Sequence, residues 1–182
     1  MTRHGEKPET LTRTAGRVAR DRRGSALMEF ALVLPLLLVL LGGMLELSRA
    51  IYQYHVIAKG VQDAARFLSR RDEIVESGTC PPGGDWSTAE GLAKTLALKG
   101  TLDGSADYVL AHWDDPNTIT VSVRCEAAGS MVSPLNPAAP GTALPVIEVS
   151  ASVPFNDIGL LGFLGLNAFS INATHSEMGI GG

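Results

Sequence analysis

From Phe30 to Leu45 the chain reads FALVLPLLLVLLGGML, sixteen residues without a charge. Carried back to Ser25 the run is twenty-one residues long and is interrupted only by Glu29. About 20 residues at roughly 1.5 Å of rise each cross a hydrocarbon core of about 30 Å, so the length fits one transmembrane helix. A secretory signal peptide would carry a shorter apolar region closed by an Ala-x-Ala-like cleavage site, and the sequence has neither.

Charge is distributed unevenly about this segment. Residues 1–24 hold seven basic side chains (Arg3, Lys7, Arg13, Arg17, Arg20, Arg22, Arg23) against Glu6, Glu9 and Asp21, a net of +4. The remaining residues hold eight basic and sixteen acidic groups, a net of −8. Positive charge is retained on the cytoplasmic side of a span, so the N-terminus is expected inside and the acidic remainder outside. The whole chain, 182 residues with a formal charge of −4, lacks the basic footprint that phosphate contacts need, and no nucleic-acid partner is expected.

Two residues are unusual for a plain anchor. Glu29 lies about one turn into the apolar segment, where a carboxylate is costly and normally has a partner. Pro35 lies well inside the expected helix, where it removes a backbone hydrogen bond and tends to kink the chain. Taken singly, Glu29 is explained by snorkelling to the interface and Pro35 as a tolerated membrane proline.

The context is Arg22-Arg23-Gly24-Ser25-Ala26-Leu27-Met28-Glu29-Phe30. A basic leader ends in Gly, four small or apolar residues follow, and then come Glu, an aromatic residue and a long apolar helix. This resembles the prepilin-peptidase site of type IV pilins, and most closely the TadE-like minor pilins, or pseudopilins, of the tight-adherence (Flp-type) pilus system. The likeness runs over roughly residues 22–70 and includes Pro35, Glu46 with Arg49, and Asp63-Ala64-Ala65-Arg66. It implies cleavage between Gly24 and Ser25, with Glu29, Phe30 and Pro35 acting in intramembrane assembly. It also implies a prepilin peptidase, other minor pilins, the major Flp pilin, an inner-membrane assembly platform and the lipid bilayer as partners, with no cofactor.

The helix is expected to continue past the membrane. Leu47, Ile51, Tyr54, Ala58, Val61, Ala65 and Leu68 recur at alternating spacings of 4 and 3, the pattern of one apolar stripe. Packing within the chain is the favoured use of that stripe, with a coiled-coil seam as the alternative. Glu46 with Arg49 and Asp63 with Arg66 are expected as i,i+3 ion pairs. After a turn-rich loop, residues 88–99 fit a short helix with Thr88 as N-cap and Gly100 as stop. Tyr108–His112, Thr118–Arg124, Val146–Val153 and Phe169–Thr174 read as strands, the second and third by clean alternation. The expected fold class is α+β: a long N-terminal transmembrane and amphipathic helix followed by a small antiparallel-sheet head, pilin-like in plan. The expected divisions are a cytoplasmic leader over 1–24, a long helix over 25–70 (transmembrane over about 25–46), and an extracytoplasmic head over 71–182.

Cys80 and Cys125 both fall on the expected outer side, where one pair most simply forms a disulfide. It would enclose 46 residues and contribute up to about 4 kcal/mol in the chain-entropy account. Two buried thiols are the alternative, and zinc would need two further ligands, with His112 the nearest histidine. The run Ile158–Leu166, IGLLGFLGL, is too short to span a bilayer. It is either a buried loop or short core helix, or an exposed patch against the membrane or a neighbouring subunit.

The sequence has no P-loop, no Gly-x-Ser-x-Gly elbow and no HExxH helix. His112-Trp113-Asp114-Asp115 is the best catalytic fragment, but a solvated turn explains it more cheaply. The chain is therefore expected to be no enzyme. It is expected instead as a single-pass bacterial inner-membrane prepilin whose head is periplasmic or extracellular. A mature chain of 158 residues from Ser25 would lack room for the large extra domain of TadG-like relatives and would exceed a major Flp pilin. The alternatives are an unprocessed, signal-anchored binding or adhesion module, and a membrane-anchored enzyme resting on His112 and Asp114.

Overall fold

The computed structural model describes residues 22–71, 85–127, 143–163, 165 and 169–179. A long apolar run, whose Pro35, Gly42 and Gly43 do not interrupt it, and the amphipathic stretch after it give one element, α1, over Arg22–Ser69. It is followed by α2 (Trp86–Lys99), a short 3-10 turn (Pro116–Thr118), β1 (Ile119–Ala127), β2 (Ala143–Pro154), α3 (Leu160–Phe163) and β3 (Ser170–Met178). The fold is α+β, as the sequence implies. Contacts divide the chain into two units, Met1–Leu45 and Glu46–Gly182.

The described part of the first unit is the apolar portion of α1. Its side chains face outward, with Leu27, Met28 and Leu32 at 70%, 73% and 76% exposure. A helix apolar on every side and packed against nothing is stable only in an apolar medium. This single N-terminal apolar helix fits a membrane-anchored, single-pass protein.

The second unit is built on a three-stranded antiparallel meander ordered β1-β2-β3. Alternation sets its two faces, because successive side chains point to opposite sides. On the inner face Ile119 pairs with Ala151 and Ala151 with Ala173, while Val123 pairs with Ile147. Ile147, Val149, Ala151 and Val153 of the central strand are all buried. The outer face is polar: Arg124 Nη2 reaches Glu148 Oε2 at 2.9 Å across the strands.

Against this sheet and α2, α1 contributes Ile57, Val61, Ala64, Ala65 and Leu68, all fully buried. The intrachain use of the stripe is therefore observed, but its first three expected members are not part of it. Leu47, Ile51 and Tyr54 are 62%, 50% and 47% exposed. The buried line instead runs back through Gln53 to Glu46, whose exposures are only 4% and 5%. Its upper members are polar, so a search for apolar periodicity shifts the stripe around the helix.

The expected i,i+3 ion pairs are also replaced. Asp63 pairs with Lys59 one turn earlier, and Arg66 approaches Glu177 at 3.9 Å. Glu46 and Arg49 both turn to the chain beyond β2 instead of to each other.

α2 is one turn-half longer at its start than the sequence suggests. Asp85, not Thr88, occupies the N-cap position, and its carbonyl accepts from Thr88 N–H and Ala89 N–H at 3.0 Å each. Gly100 ends the helix as expected, in the left-handed region at φ 71°, with its N–H on the Leu96 carbonyl. Ala89, Ala93 and Ala97 present a flat buried face. A Cβ built on Gly60 would lie 2.6 Å from the Ala97 carbonyl oxygen and 3.2 Å from Trp113. Only glycine at position 60 permits this approach of α1 to α2.

Tyr108–His112 forms no strand. Val109 N–H bonds the Leu98 carbonyl at 2.9 Å, so this segment closes the end of α2 instead of joining the sheet. It then turns to drive Leu110 and Trp113 into the core. Trp113 Nε1–H donates to Thr118 Oγ1 at 2.9 Å, and that hydroxyl donates to the Asp115 carbonyl at 2.7 Å. The other three strands are found: β2 is wider at both ends, while β1 and β3 begin one residue later than expected and run further at their C-terminal ends.

Gly60→Ala should destabilise the head by about 1–3 kcal/mol through overpacking. Gly91→Ala, on an exposed face of α2 where a Cβ meets nothing within 4 Å, should stabilise it by about 0.5–1 kcal/mol. Chemical denaturation of the detergent-solubilised protein, followed by circular dichroism, reads both. Equal effects of the two substitutions would contradict the close crossing at Gly60.

Candidate functional site

Two places along α1 collect residues that elementary packing does not explain. The first is its N-terminal turn. Gly24 and Ser25 lie within the first four residues of α1, whose N–H groups have no intrahelical acceptor. A peptide bond there is in the part of a helix that frays most readily. One turn on, Glu29 accepts a hydrogen bond from Ser25 Oγ to Oε1 at 3.3 Å. Glu29 and Phe30 are exposed, Phe30 at 57%. Pro35 is accommodated inside the helix, which continues on both sides of it. The structure thus places Gly24, Ser25, Glu29 and Phe30 within two turns of one exposed helix end.

The second place was not legible as a site. Gln53 takes both backbone groups of Asn156: Nε2 donates to its carbonyl at 3.0 Å, and Oε1 accepts from its N–H at 3.3 Å. Arg49 Nη2 donates to the same carbonyl at 3.0 Å. Glu46 Oε1 accepts from the Ile158 N–H at 3.0 Å. Three long polar side chains on one face of α1 therefore satisfy the backbone of a chain segment that has left the sheet. Each polar side chain four or three residues from the next was the available signal, but it needed the partner segment to be recognised.

His112 has its Nε2 shielded without a hydrogen-bond partner. Burial, with the Arg49 charge as the second cause, pulls its pKa below 6.5; Asp114 opposes this. Asp115 is committed to the 3-10 turn, where its Oδ1 accepts from Asn117 N–H and Nδ2 at 2.9 and 2.8 Å. The fragment is a structural turn whose tryptophan is core. No group of three His, Cys, Asp or Glu side chains suited to a metal occurs among the described residues. Cys125 lies on β1 opposite Pro145. Cys80 lies outside the described residues, as do Leu164 and Leu166 of the apolar run. In the described part of that run, Ile158 is exposed while Leu161 packs partly against the core.

The N-terminal apolar helix fits a membrane-anchored protein, and an α+β unit follows it in the chain. A family model described as TadE-like protein matches residues 24–66, and the match begins at Gly24. Over these residues the chain is similar to TadE-like proteins. No curated protein and no solved structure matches the chain. The head beyond residue 66 lies outside the matched segment.

Because the folded state holds the His112 pKa below its unfolded value, the unfolded chain binds more protons as pH falls through about 6.5. The His112 contribution to stability is complete above that pH and is lost below it. The unfolding midpoint should therefore drop between about pH 7.5 and about pH 5.5, and His112→Asn should flatten that drop. An identical pH profile for the variant would contradict the assignment.

Proposed function

We propose that this chain is a minor pilin, cut by a prepilin peptidase between Gly24 and Ser25 and used in assembling an adhesive Flp-type pilus. The observation that carries the reading is the Gly24-Ser25-Ala26-Leu27-Met28-Glu29-Phe30 sequence standing at the head of an exposed apolar helix, where the TadE-like match starts. The protein is inserted once in a bacterial inner membrane, with its N-terminus cytoplasmic and its head outside; the +4 leader supports that orientation. It acts structurally and is not an enzyme. The use of Trp113 and Asp115 in a core-anchoring turn supports this.

Cleavage frees an α-amino group on Ser25 and removes the basic leader. When helices leave lipid and pack together, Glu29 of one subunit pairs with the Ser25 amine of its neighbour. Both groups lie on the first turns of α1, where Glu29 makes a weak hydroxyl contact with Ser25. Pairing offsets the cost of taking a carboxylate out of water only when its geometry is good. Prepilin peptidase, other minor pilins, the major Flp pilin and the inner-membrane platform are the partners of this reading. Cys80 and Cys125 form a disulfide in the oxidising outer compartment, where one pair of cysteines most simply bonds.

The N-terminus of the membrane-extracted protein tests the reading. A chain beginning Ser-Ala-Leu-Met-Glu-Phe is expected only when a matched peptidase is co-expressed; retention of residues 1–24 beside an active peptidase overturns it, and a signal-anchored binding module then accounts for the chain. Glu29→Gln should be cut normally yet lower pilus yield by about tenfold or more, since breaking a buried ion pair costs about 3–5 kcal/mol. Unchanged yield would remove the pairing from the account.

A further inference from the structure

The segment that leaves β2 descends α1 in steps. Asn156 is held by Gln53 and Arg49, and two residues later Ile158 N–H is held by Glu46. From position 53 to position 46 is about two helical turns, or roughly 10 Å along the axis. The descent ends on the residue that directly follows Leu45, the last of the uncharged apolar run.

What the descent delivers there is apolar. Residues 158–163 read IGLLGF, without a charge. Ile158 is 55% exposed, and Gly159 turns the chain at φ 91° into the single helical turn of α3. Gly162 of that turn is exposed. At the other root of the loop, Phe169 stacks on Phe155 with ring centroids 4.8 Å apart and remains 48% exposed. Phe155 N–H closes the root on the Phe169 carbonyl at 2.9 Å. Tyr52 and Tyr54, on either side of Gln53, are exposed as well. Tyrosines collect at the headgroup level of a bilayer, where a ring and a hydroxyl are both satisfied.

A buried carboxylate is an expensive device for holding an exposed isoleucine unless that isoleucine has a use. We infer that Ile158–Gly162 is an interfacial foot, resting in the boundary between lipid headgroups and acyl chains of the bilayer that α1 crosses. Its partner is the lipid surface. The argument for lipid over a second protein is continuity: Glu46, which holds the Ile158 N–H, directly follows Leu45, the end of a segment whose exposed leucines need a hydrocarbon medium. The foot has no basic residue, so it seats by apolar burial and selects no particular headgroup. It holds the head against the membrane before assembly, and leaving the bilayer requires the foot to lift off.

This inference rests on the single-span reading, and the test separates the two. The full chain is placed in nanodiscs of phosphatidylethanolamine and phosphatidylglycerol, with a nitroxide attached at Leu36→Cys, Ile158→Cys, Gly162→Cys or Leu102→Cys. Signal from the unsubstituted protein is subtracted. Gly162→Cys guards against misfolding at position 158, because a Cβ there meets nothing within 4 Å. Leu102, 44% exposed, serves as the aqueous reference on the head. Collision with oxygen, which concentrates in lipid, is compared with collision with a water-soluble nickel chelate. The oxygen-to-nickel ratio at 158 and 162 is expected to exceed that at 102 by about threefold or more, as for a shallowly inserted segment. Ratios equal to that at 102 overturn the foot, and so does exclusion of both reagents, which would mean that protein covers it. If the label at Leu36 reads as aqueous, the span and the foot fall together; a lipid-facing Leu36 with an aqueous Ile158 overturns the foot alone.

Discussion

Along its length α1 has to satisfy two different surroundings with one backbone. Before residue 46 its leucines are exposed on every side; from Ile57 to Leu68 its buried face is packed with Ala, Val, Ile and Leu of the chain itself. No single solvent suits both stretches. A helix of uniform apolarity needs lipid, whereas an amphipathic one needs a core on one side and water on the other. Between them the helix carries Glu46, Arg49 and Gln53, whose hydrogen bonds go to the backbone of Asn156 and Ile158. These polar groups fasten the segment after β2 to α1 at the start of the second unit.

Fastening the head requires close packing farther along. Small residues provide it: Gly60 lets the Ala97 carbonyl come within what would be 2.6 Å of a Cβ, and the alanine face of α2 is flat enough to follow. The central strand β2 supplies the other wall through Ile147, Val149, Ala151 and Val153. Trp113 fills the space near the helix crossing, and its indole N–H is satisfied by Thr118, so the largest core side chain leaves no unpaired polar group. The core is thus made of many modest contacts, and among the described glycines Gly60 is the one where an added Cβ would meet backbone under 3 Å away.

Sequence reading succeeded where the determining signal is local. The apolar run of α1, the alternation of β1 and β2, and the left-handed stop at Gly100 each depend on residues within a few positions of one another. It failed where the partner is distant. Leu47, Ile51 and Tyr54 continued the apolar spacing, yet Glu46 and Gln53 are the buried residues, because their acceptors and donors lie more than a hundred positions away. Tyr108–His112 has strand-like residues but its backbone is taken by the end of α2, and Asp85 displaces Thr88 at the N-cap. The Gly24–Phe30 pattern is read from contiguous residues, and the TadE-like match begins at its first residue. The polar fastening at Glu46, Arg49 and Gln53 was visible only as an expected ion pair that the structure does not form.

The account stands on the change of medium at Leu45 and Glu46. Maleimide that cannot cross membranes, applied to right-side-out inner-membrane vesicles, tests it most directly. A cysteine placed at Leu102 should react from outside, and one placed at Leu36 should react only after the bilayer is dissolved. Reaction at Leu36 in sealed vesicles, or at Leu102 only after lysis, would contradict a single span with an outward head.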